Sequence, residues 1–281
     1  MIYKNIFIQG AGIMGAGIAQ VSAQAGMNVT LMDLSAELIK KAIDSIERNL
    51  LRSMEKGRIT LQDKADILSR IKLSTDTEGA KEAEIAIEAV FEDVELKKKV
   101  FNELDKICPS HTILASNTSS IPIGFIASSI ARKEKIIGLH FMNPVPVMRG
   151  VEIIRARTTS DETFNIAMDF IRKLGKEAVE AVDYAGFICS RILDAMLNEA
   201  VRCVMDGNRP EEVDKAMKVC TNFPMGPLEL IDLAGADIVL HGLEIMEEEF
   251  GDRYHPAPLL RQLIRSGHLG KKAGKGFYNY T

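Results

Sequence analysis

Residues 6–20 read IFIQGAGIMGAGIAQ, an apolar segment that runs directly into a glycine-rich turn. Gly10, Gly12 and Gly15 in this turn have the spacing G-x-G-x-x-G. Helix-forming residues follow, and then a second apolar segment that ends at Asp33. A strand, a glycine turn, a helix and a strand ending in an acid are typical of a dinucleotide-binding βαβ unit. The stretch therefore predicts a fold of the Rossmann type.

Each residue of the glycine turn has a physical role in such a unit. Gly10 permits the tight turn, Gly12 lets the backbone approach a pyrophosphate, and Gly15 allows the helix to pack closely on the strand. Ile13 and Met14 begin the helix, whose first amide groups and partial positive charge attract an anion. These five residues are predicted to contact the cofactor.

Asp33 indicates which dinucleotide binds. Its carboxylate can accept hydrogen bonds from the hydroxyl groups of an adenosine ribose, and its charge would repel the 2′-phosphate of NADP. NAD is therefore the predicted cofactor. The alternative is a glycine-rich turn in an α/β protein that binds no nucleotide. That alternative leaves the combination of strand, helix and acid unexplained.

The chain of 281 residues changes character about two thirds of the way along. Short apolar segments alternate with helical patterns up to about residue 183, which is typical of an α/β domain with a mainly parallel sheet. Beyond that point the segments are helical and are punctuated by glycine and proline. We predict a doubly wound α/β domain over residues 1–184 and a smaller all-helical domain over residues 185–281.

Composition argues against several classes of function. The formal net charge of −4 disfavours nucleic acid or an anionic membrane as the main partner. No apolar stretch approaches the ~18 residues of a membrane helix, and the first strand begins too early for a signal or transit peptide. The four cysteines lack metal-binding spacing, so we predict no metal site and reduced thiols in the cytoplasm.

A second stretch, GLHFMNPVPVMRGVEII at 138–154, places one histidine and one acid in two strand-like segments. The prolines between the segments favour a bend that would bring His140 and Glu152 together. Oxidation of a secondary alcohol requires a base, and histidine, with an ordinary pKa of ~6.5, can remove and return the proton. A carboxylate on its second nitrogen would fix the tautomer. The alternative is that both side chains are satisfied polar groups of the core.

The segment ILASNTSS at 113–120 leaves a strand and enters a polar turn. In a doubly wound sheet, such turns line the crevice where ligands bind. Ser119 could donate a hydrogen bond to a substrate carbonyl there. Asn117, Thr118 and Ser119 could also cap the following helix, and the two roles do not exclude each other.

Seven motifs, in order along nearly the whole chain, resemble those of the short-chain L-3-hydroxyacyl-CoA dehydrogenases. They are GAGIMGAGIAQ, ASNTSS, HFMNPVPVM, VEII, NEAV, PMGPLEL and GKGFYNY. The resemblance is closest to the bacterial members that act on 3-hydroxybutyryl-CoA. It implies an oxidoreductase that transfers a hydride between NAD(H) and a short-chain 3-hydroxyacyl-CoA/3-ketoacyl-CoA pair.

The resemblance also implies roles for individual residues. His140 and Glu152 would form the catalytic acid/base dyad, and Ser119 would contact the substrate oxygen. The cofactor site would further include Glu92, Lys97, Ser119 and Asn143. In this family an NAD domain precedes a helical domain that builds a homodimer, with the active site between them. The helical segment RILDAMLNEAVRCVM at 191–205 is apolar on more than one face, as expected of a helix buried in its own core or against a partner.

An acyl-CoA substrate would bring phosphate charges to an acidic protein. Arg48, Arg52 and Lys56 are spaced four apart and therefore share one helix face. The resemblance favours Arg52 and Lys56 as contacts for the CoA phosphates. The alternative is a solvated charged face balanced by Glu47 and Glu55.

One motif departs from the family pattern. The second domain of the family begins P-G-F-x-x-N-R, whereas this chain reads AGFICSR at 185–191. Ala185 replaces the proline, and Ser190 stands in the position of a catalytic, substrate-contacting asparagine. Two alternatives stay open. One is an NAD-dependent dehydrogenase of a free hydroxy acid, since the family has relatives without CoA chemistry. The other is a non-catalytic NAD-binding protein, in which Ser190 marks the loss of catalysis.

Overall fold

The computed structural model describes residues 3–280 and divides into two compact units. The first unit extends to Asp183, and the second begins at Tyr184. The described part of the first unit contains one eight-stranded sheet with helices around it, and the second unit is helical. The predicted fold class, a Rossmann-type doubly wound sheet followed by a smaller helical unit, is confirmed.

The strands of the sheet are short and mostly buried. Their bounds are β1 (Asn5–Gln9), β2 (Asn28–Met32), β3 (Ile71–Ser74), β4 (Ile85–Glu88), β5 (Ile113–Ser116), β6 (Ile136–Phe141), β7 (Gly150–Arg155) and β8 (Glu177–Val182). They lie in the order β3-β2-β1-β4-β5-β6-β7-β8. The strands β1 to β6 all run parallel to one another. Strand β7 is antiparallel to β6, and β8 is parallel to β7. The order therefore reverses between β1 and β4, where ligands bind in this kind of sheet.

Six α-helices belong to the described part of the first unit and five to that of the second. The first six are α1 (Ile13–Gln24), α2 (Ala36–Glu55), α3 (Leu61–Ser69), α4 (Val94–Ile107), α5 (Ile123–Ala127) and α6 (Asp161–Lys173). The others are α7 (Cys189–Met205), α8 (Pro210–Cys220), α9 (Pro227–Ala234), α10 (Ala236–Phe250) and α11 (Pro258–Arg265). No helix within residues 3–280 has the length and apolar character needed to cross a membrane.

Helix α1 is the helix that the sheet buries most completely, because its small residues allow close approach. Nine consecutive residues from Gly15 to Ala23 are buried. Ile18 belongs to the same hydrophobic core as Ile6 and Ile8 of β1. Burial of each such side chain contributes about 1.5–3 kcal/mol. The packing fixes the start of α1, and hence the glycine turn, against the carboxyl end of β1.

Candidate active site

The glycine turn between β1 and α1 is crowded at Gly10 and Gly15 and open at Gly12. Gly10 has φ +110°, and a Cβ on it would lie 2.4 Å from the carbonyl oxygen of Ala89. A Cβ on Gly15 would lie 1.8 Å from the carbonyl oxygen of Gly10. At Gly12, by contrast, no heavy atom lies within 4 Å of a built Cβ. The turn is therefore tightly packed beneath and open above Gly12.

The start of α1 provides hydrogen-bond donors on the open side of this turn. Gly12 is the N-cap residue, and no side chain caps the helix. Ile13 is 77% exposed, and Met14 is half-buried. Unpaired first-turn amides and the positive end of the helix dipole favour an anion such as a pyrophosphate. The residues present therefore fit the predicted dinucleotide.

Asp33 follows β2 directly and ties the glycine turn to the end of that strand. Its Oδ2 accepts a hydrogen bond from the Ala11 amide at 2.8 Å, and its Oδ1 accepts one from the Ser35 amide at 3.0 Å. A carboxylate has about four acceptor positions, so these bonds leave capacity for ribose hydroxyls.

Replacement of Asp33 by alanine is expected to weaken the preference for NADH over NADPH. The change removes both the ribose acceptor and the charge that repels a 2′-phosphate. It also leaves the Ala11 amide without its partner, so KM for NADH should rise. The measurement is kcat/KM with each cofactor, with Asp44→Ala on α2 as the control. A wild-type protein that already prefers NADPH would contradict the assignment of Asp33.

Glu92, in the loop after β4, organises the turn that carries Ser119. Its Oε1 accepts hydrogen bonds from the Thr118 hydroxyl at 2.6 Å and from the amides of Ser119 and Ser120 at 2.9 and 3.0 Å. Burial alone would raise the pKa of Glu92. The nearby Lys97 charge and these hydrogen bonds outweigh burial and lower its pKa to about 2. Glu92 therefore carries a negative charge at neutral pH.

Lys97 lies behind Glu92 and is 1% exposed. Its Nζ is 2.7 Å from Glu88 Oε1 and 3.1 Å from Glu92 Oε2. Burial lowers the pKa of a lysine, but the two carboxylates outweigh it and raise the pKa of Lys97 above its ordinary value. The ammonium group therefore stays charged between the two acids. Its predicted place in the cofactor site stays a prediction.

Glu88, which was not predicted from the sequence, completes this cluster by pairing with Lys97. Glu88 is completely buried at the end of β4, and its carboxylate accepts 2.7 Å hydrogen bonds from the Ser116 hydroxyl and the Val90 amide. Glu88 could have been predicted as a site residue because it is the single acid in the apolar strand IAIE. Glu152 was recognised by the same kind of pattern.

Ser119 is half-buried in the turn after β5, with its hydroxyl 3.3 Å from Glu92 Oε1. Thr118 Oγ1 accepts a hydrogen bond from the Ile121 amide at 3.0 Å within this turn. Neither Asn117, Thr118 nor Ser119 caps α5, because its N-cap residue is Pro122 and no side chain caps it. The first amides of α5, at Ile123 and Gly124, donate to Asp183.

His140 and Glu152 are directly opposite each other on the antiparallel strands β6 and β7. His140 Nδ1 lies 2.8 Å from Glu152 Oε2. The side chains are 9% and 1% exposed. Directly paired residues of an antiparallel ladder project to the same face of the sheet, so the register alone enforces this contact. The geometry is that of an imidazole oriented by a carboxylate.

The remaining predicted site residues belong to one loop and two helices. Asn143 is exposed in the loop after β6. Arg52 and Lys56 are exposed at the end of α2. Ser190 is half-buried in the first turn of α7, in the second unit. The described residues supply no hydrogen-bond partner to the Ser190 hydroxyl, and the N-cap residue of α7 is Ile188.

A parallel sheet in the order 3-2-1-4-5-6, an open glycine turn and an acid after β2 define a Rossmann-fold nicotinamide-dependent oxidoreductase. Residues 5–184 match the family described as 3-hydroxyacyl-CoA dehydrogenase, NAD binding domain. Residues 186–280 match 3-hydroxyacyl-CoA dehydrogenase, C-terminal domain. The chain therefore belongs to the 3-hydroxyacyl-CoA dehydrogenase family. The predicted family, enzyme class and NAD cofactor are confirmed.

Relatives match the chain over its full length. The probable 3-hydroxybutyryl-CoA dehydrogenase of Bacillus subtilis is 46% identical over 100% of this chain and 98% of its own. The 3-hydroxybutyryl-CoA dehydrogenase of Clostridioides difficile is 43% identical over 99% of each. The crystal structure of (S)-3-hydroxybutyryl-CoA dehydrogenase PaaH1 from Ralstonia eutropha has a TM-score of 0.94, with 41% identity and 100% coverage of both chains.

Proposed function

We propose that this protein interconverts 3-hydroxybutyryl-CoA and acetoacetyl-CoA with NAD(H). The buried 2.8 Å contact between His140 and Glu152 carries the proposal, because it provides an oriented base within the NAD-binding unit. The full-length similarity to 3-hydroxybutyryl-CoA dehydrogenases supports this substrate over a free hydroxy acid.

The chain's own residues would perform the proton chemistry. Glu152 holds His140 Nδ1, which fixes the tautomer and stabilises the imidazolium after proton uptake. His140 Nε2 then removes the proton of the 3-hydroxyl group and returns it in the reverse reaction. The Ser119 hydroxyl, positioned by Glu92, donates a hydrogen bond to the same substrate oxygen. Bound NAD⁺ supplies the hydride acceptor.

Turnover tests the proposal directly. The assay follows oxidation of NADH with acetoacetyl-CoA and, separately, with free 3-oxo acids of the same length. Turnover with acetoacetyl-CoA supports the proposal. Turnover with free acids alone would replace it with the hydroxy-acid dehydrogenase, and NADH binding without turnover would replace it with a non-catalytic protein.

The end of α2 is the proposed contact for the CoA phosphates. Within residues 3–280, Arg48, Arg52 and Lys56 form no ion pair with Glu47 or Glu55. All three cations are exposed, which supports their availability to an anionic ligand. Guanidinium groups suit phosphates because they donate two parallel hydrogen bonds.

Replacement of both Arg52 and Lys56 by alanine is expected to raise KM for acetoacetyl-CoA and to leave KM for NADH unchanged. Added salt should also raise KM for the wild-type enzyme, because exposed charges are screened. The control is a double alanine variant of Lys40 and Lys41, two lysines near the other end of α2. An unchanged KM for acetoacetyl-CoA in the first variant would show that Arg52 and Lys56 belong to a solvated charged face and do not contact CoA.

Ser190 is proposed to contact the substrate weakly, because its hydroxyl is shorter than the family's asparagine amide. Ser190→Asn should raise kcat/KM for acetoacetyl-CoA by a few-fold up to about tenfold, the value of one added hydrogen bond. Ser190→Ala should have little effect and serves as the control. Loss of activity in Ser190→Asn would show that the pocket is built around serine and that the substrate differs from the family's usual one.

A homodimer through the second unit completes the proposal. Helix α7 buries Leu197 and Val201 in the core of that unit but leaves Ile192 67% exposed. Val219 on α8 is 75% exposed. Such exposed apolar side chains support a partner surface, and sedimentation equilibrium tests it.

We also propose a cytoplasmic location, which the absence of disulfides between the four cysteines in the described chain supports.

A further inference from the structure

The β6–β7 loop (residues 142–149) joins the strand of His140 to the strand of Glu152. It carries Asn143, the predicted cofactor contact, and leaves Val147 72% and Met148 41% exposed. Its internal bonding is a single turn, in which the Pro144 carbonyl accepts hydrogen bonds from the amides of Val147 and Met148. A loop with so few bonds of its own depends on other elements for its conformation.

Arg149 ties the end of this loop to Glu177 of β8, and two further anchors hold its turn. The first is apolar: Val145 is 2% exposed, and a Cβ on Gly17 of α1 would lie 2.8 Å from the Val145 Cβ. The second is polar: Lys176 Nζ donates hydrogen bonds to the carbonyl oxygens of Val145 at 2.7 Å and Met148 at 2.6 Å. The ammonium group therefore bridges both sides of the turn.

The backbone around Lys176 is fixed, so the anchor is rigid at its base. Helix α6 ends before Gly175, whose φ of +70° reverses the chain. Glu177 then begins β8, and its amide donates to the Arg149 carbonyl at 2.8 Å. Lys176 is thus held between a helix end and a paired strand, beside the loop it contacts.

From these contacts we propose that Lys176 is a positioning residue for the reaction. Its ammonium group holds the β6–β7 loop in one conformation and so presents Asn143 to the cofactor. A compact ammonium with three donors suits two carbonyl oxygens that lie on either side of it. The effect of Lys176 on the reaction rests on the predicted role of Asn143 in cofactor binding, whereas its effect on the loop conformation is independent of that role.

Two variants of Lys176 separate charge and donors from packing. Lys176→Met keeps most of the apolar stem and removes the donors, whereas Lys176→Arg keeps a cation that can donate to two carbonyls. Lys135→Met is the matched control, because Lys135 is also a half-buried lysine of the first unit, with its Nζ 3.1 Å from Glu162 Oε2. NADH affinity is measured by fluorescence titration, and the thermal midpoint of each variant is recorded.

Lys176→Met is expected to raise Kd for NADH about tenfold and to lower kcat, because small displacements of a positioning residue have large kinetic effects. Lys176→Arg should recover part of the affinity that Lys176→Met loses, because a guanidinium can still donate to two carbonyls, and Lys135→Met should change stability only. Two results would overturn the proposal: a Lys176→Met variant with a lower thermal midpoint but normal NADH affinity, or a Lys176→Arg variant no better than Lys176→Met.

Hydrogen exchange distinguishes a failure of this inference from a failure of the proposed function. The amides of Val147 and Met148 should exchange faster in Lys176→Met than in wild type, whatever substrate the enzyme uses. Unchanged exchange would refute the anchor itself. Faster exchange together with normal NADH affinity in both Lys176→Met and Asn143→Ala would refute the role of Asn143 and, with it, the positioning of the cofactor by Lys176.

Discussion

Replacement of His140 by alanine is expected to lower kcat by roughly several hundred-fold or more and to leave NADH binding nearly intact. General acid–base catalysis contributes about 10²–10⁴-fold, and His140 is the imidazole that Glu152 orients, with Nδ1 2.8 Å from Glu152 Oε2. The measurement combines steady-state rates with acetoacetyl-CoA and fluorescence titration with NADH. His111→Ala, which changes an exposed histidine of the same unit, is the control.

Replacement of Glu152 by glutamine should cost less than replacement of His140. The amide can still accept a hydrogen bond from His140 Nδ1, but the negative charge opposite the imidazolium is lost. The order of the two effects matters as much as their size. A His140→Ala enzyme with near-normal turnover would refute the acid/base dyad, and a Glu152→Gln enzyme more impaired than His140→Ala would assign the principal role to the acid.

Replacement of Lys97 by methionine is expected to lower the free energy of unfolding by about 3–5 kcal/mol. The substitution leaves Glu88 and Glu92 close together, with no cation between them, in a region where Glu88 is wholly buried and Lys97 is 1% exposed. A buried charge without its partner costs more than the pair itself contributes. Urea denaturation measures the change, and Lys98→Met, at a lysine paired with Glu95 near the surface, is the control.

A double variant tests the cause of this loss. If uncompensated charge is responsible, Glu88→Gln in the Lys97→Met background should recover part of the stability, because it removes one of the two facing carboxylates. The Lys98→Met control should stay within about 0.5 kcal/mol of wild type. Equal losses in Lys97→Met and Lys98→Met would show that the buried cluster does not stabilise the fold.

The features that the sequence predicted best depend on neighbouring residues. Gly10 and Gly15 could be predicted because a side chain at either position would clash with backbone. A Cβ on Gly15 would meet the carbonyl oxygen of Gly10, and a Cβ on Gly10 would meet that of Ala89, just after β4. The spacing itself therefore records the turn. Asp33 could also be predicted from its position, because it directly follows the strand that comes after the glycine turn and helix. The α/β alternation likewise predicted the class of the first unit.

The contact between His140 and Glu152 could be proposed from the sequence but not established by it. The two residues are twelve positions apart, and their contact depends on the register of β6 with β7. A shift of one residue would turn Glu152 to the opposite face of the sheet. Only the observed pairing places both side chains on one face.

Residues 97–99 show most clearly what the sequence determined and what the tertiary structure decided. These three consecutive lysines differ in burial: Lys97 is buried, Lys98 is half-buried and Lys99 is exposed. Helix geometry turns each successive residue by about 100°, so only Lys97 points inward to Glu88. The sequence by itself determined the glycine turn, the acid after β2 and the α/β class, because local sterics and periodicity encode them. The tertiary structure alone decided which acids and cations meet inside, because those contacts join strands and helices that are distant along the chain.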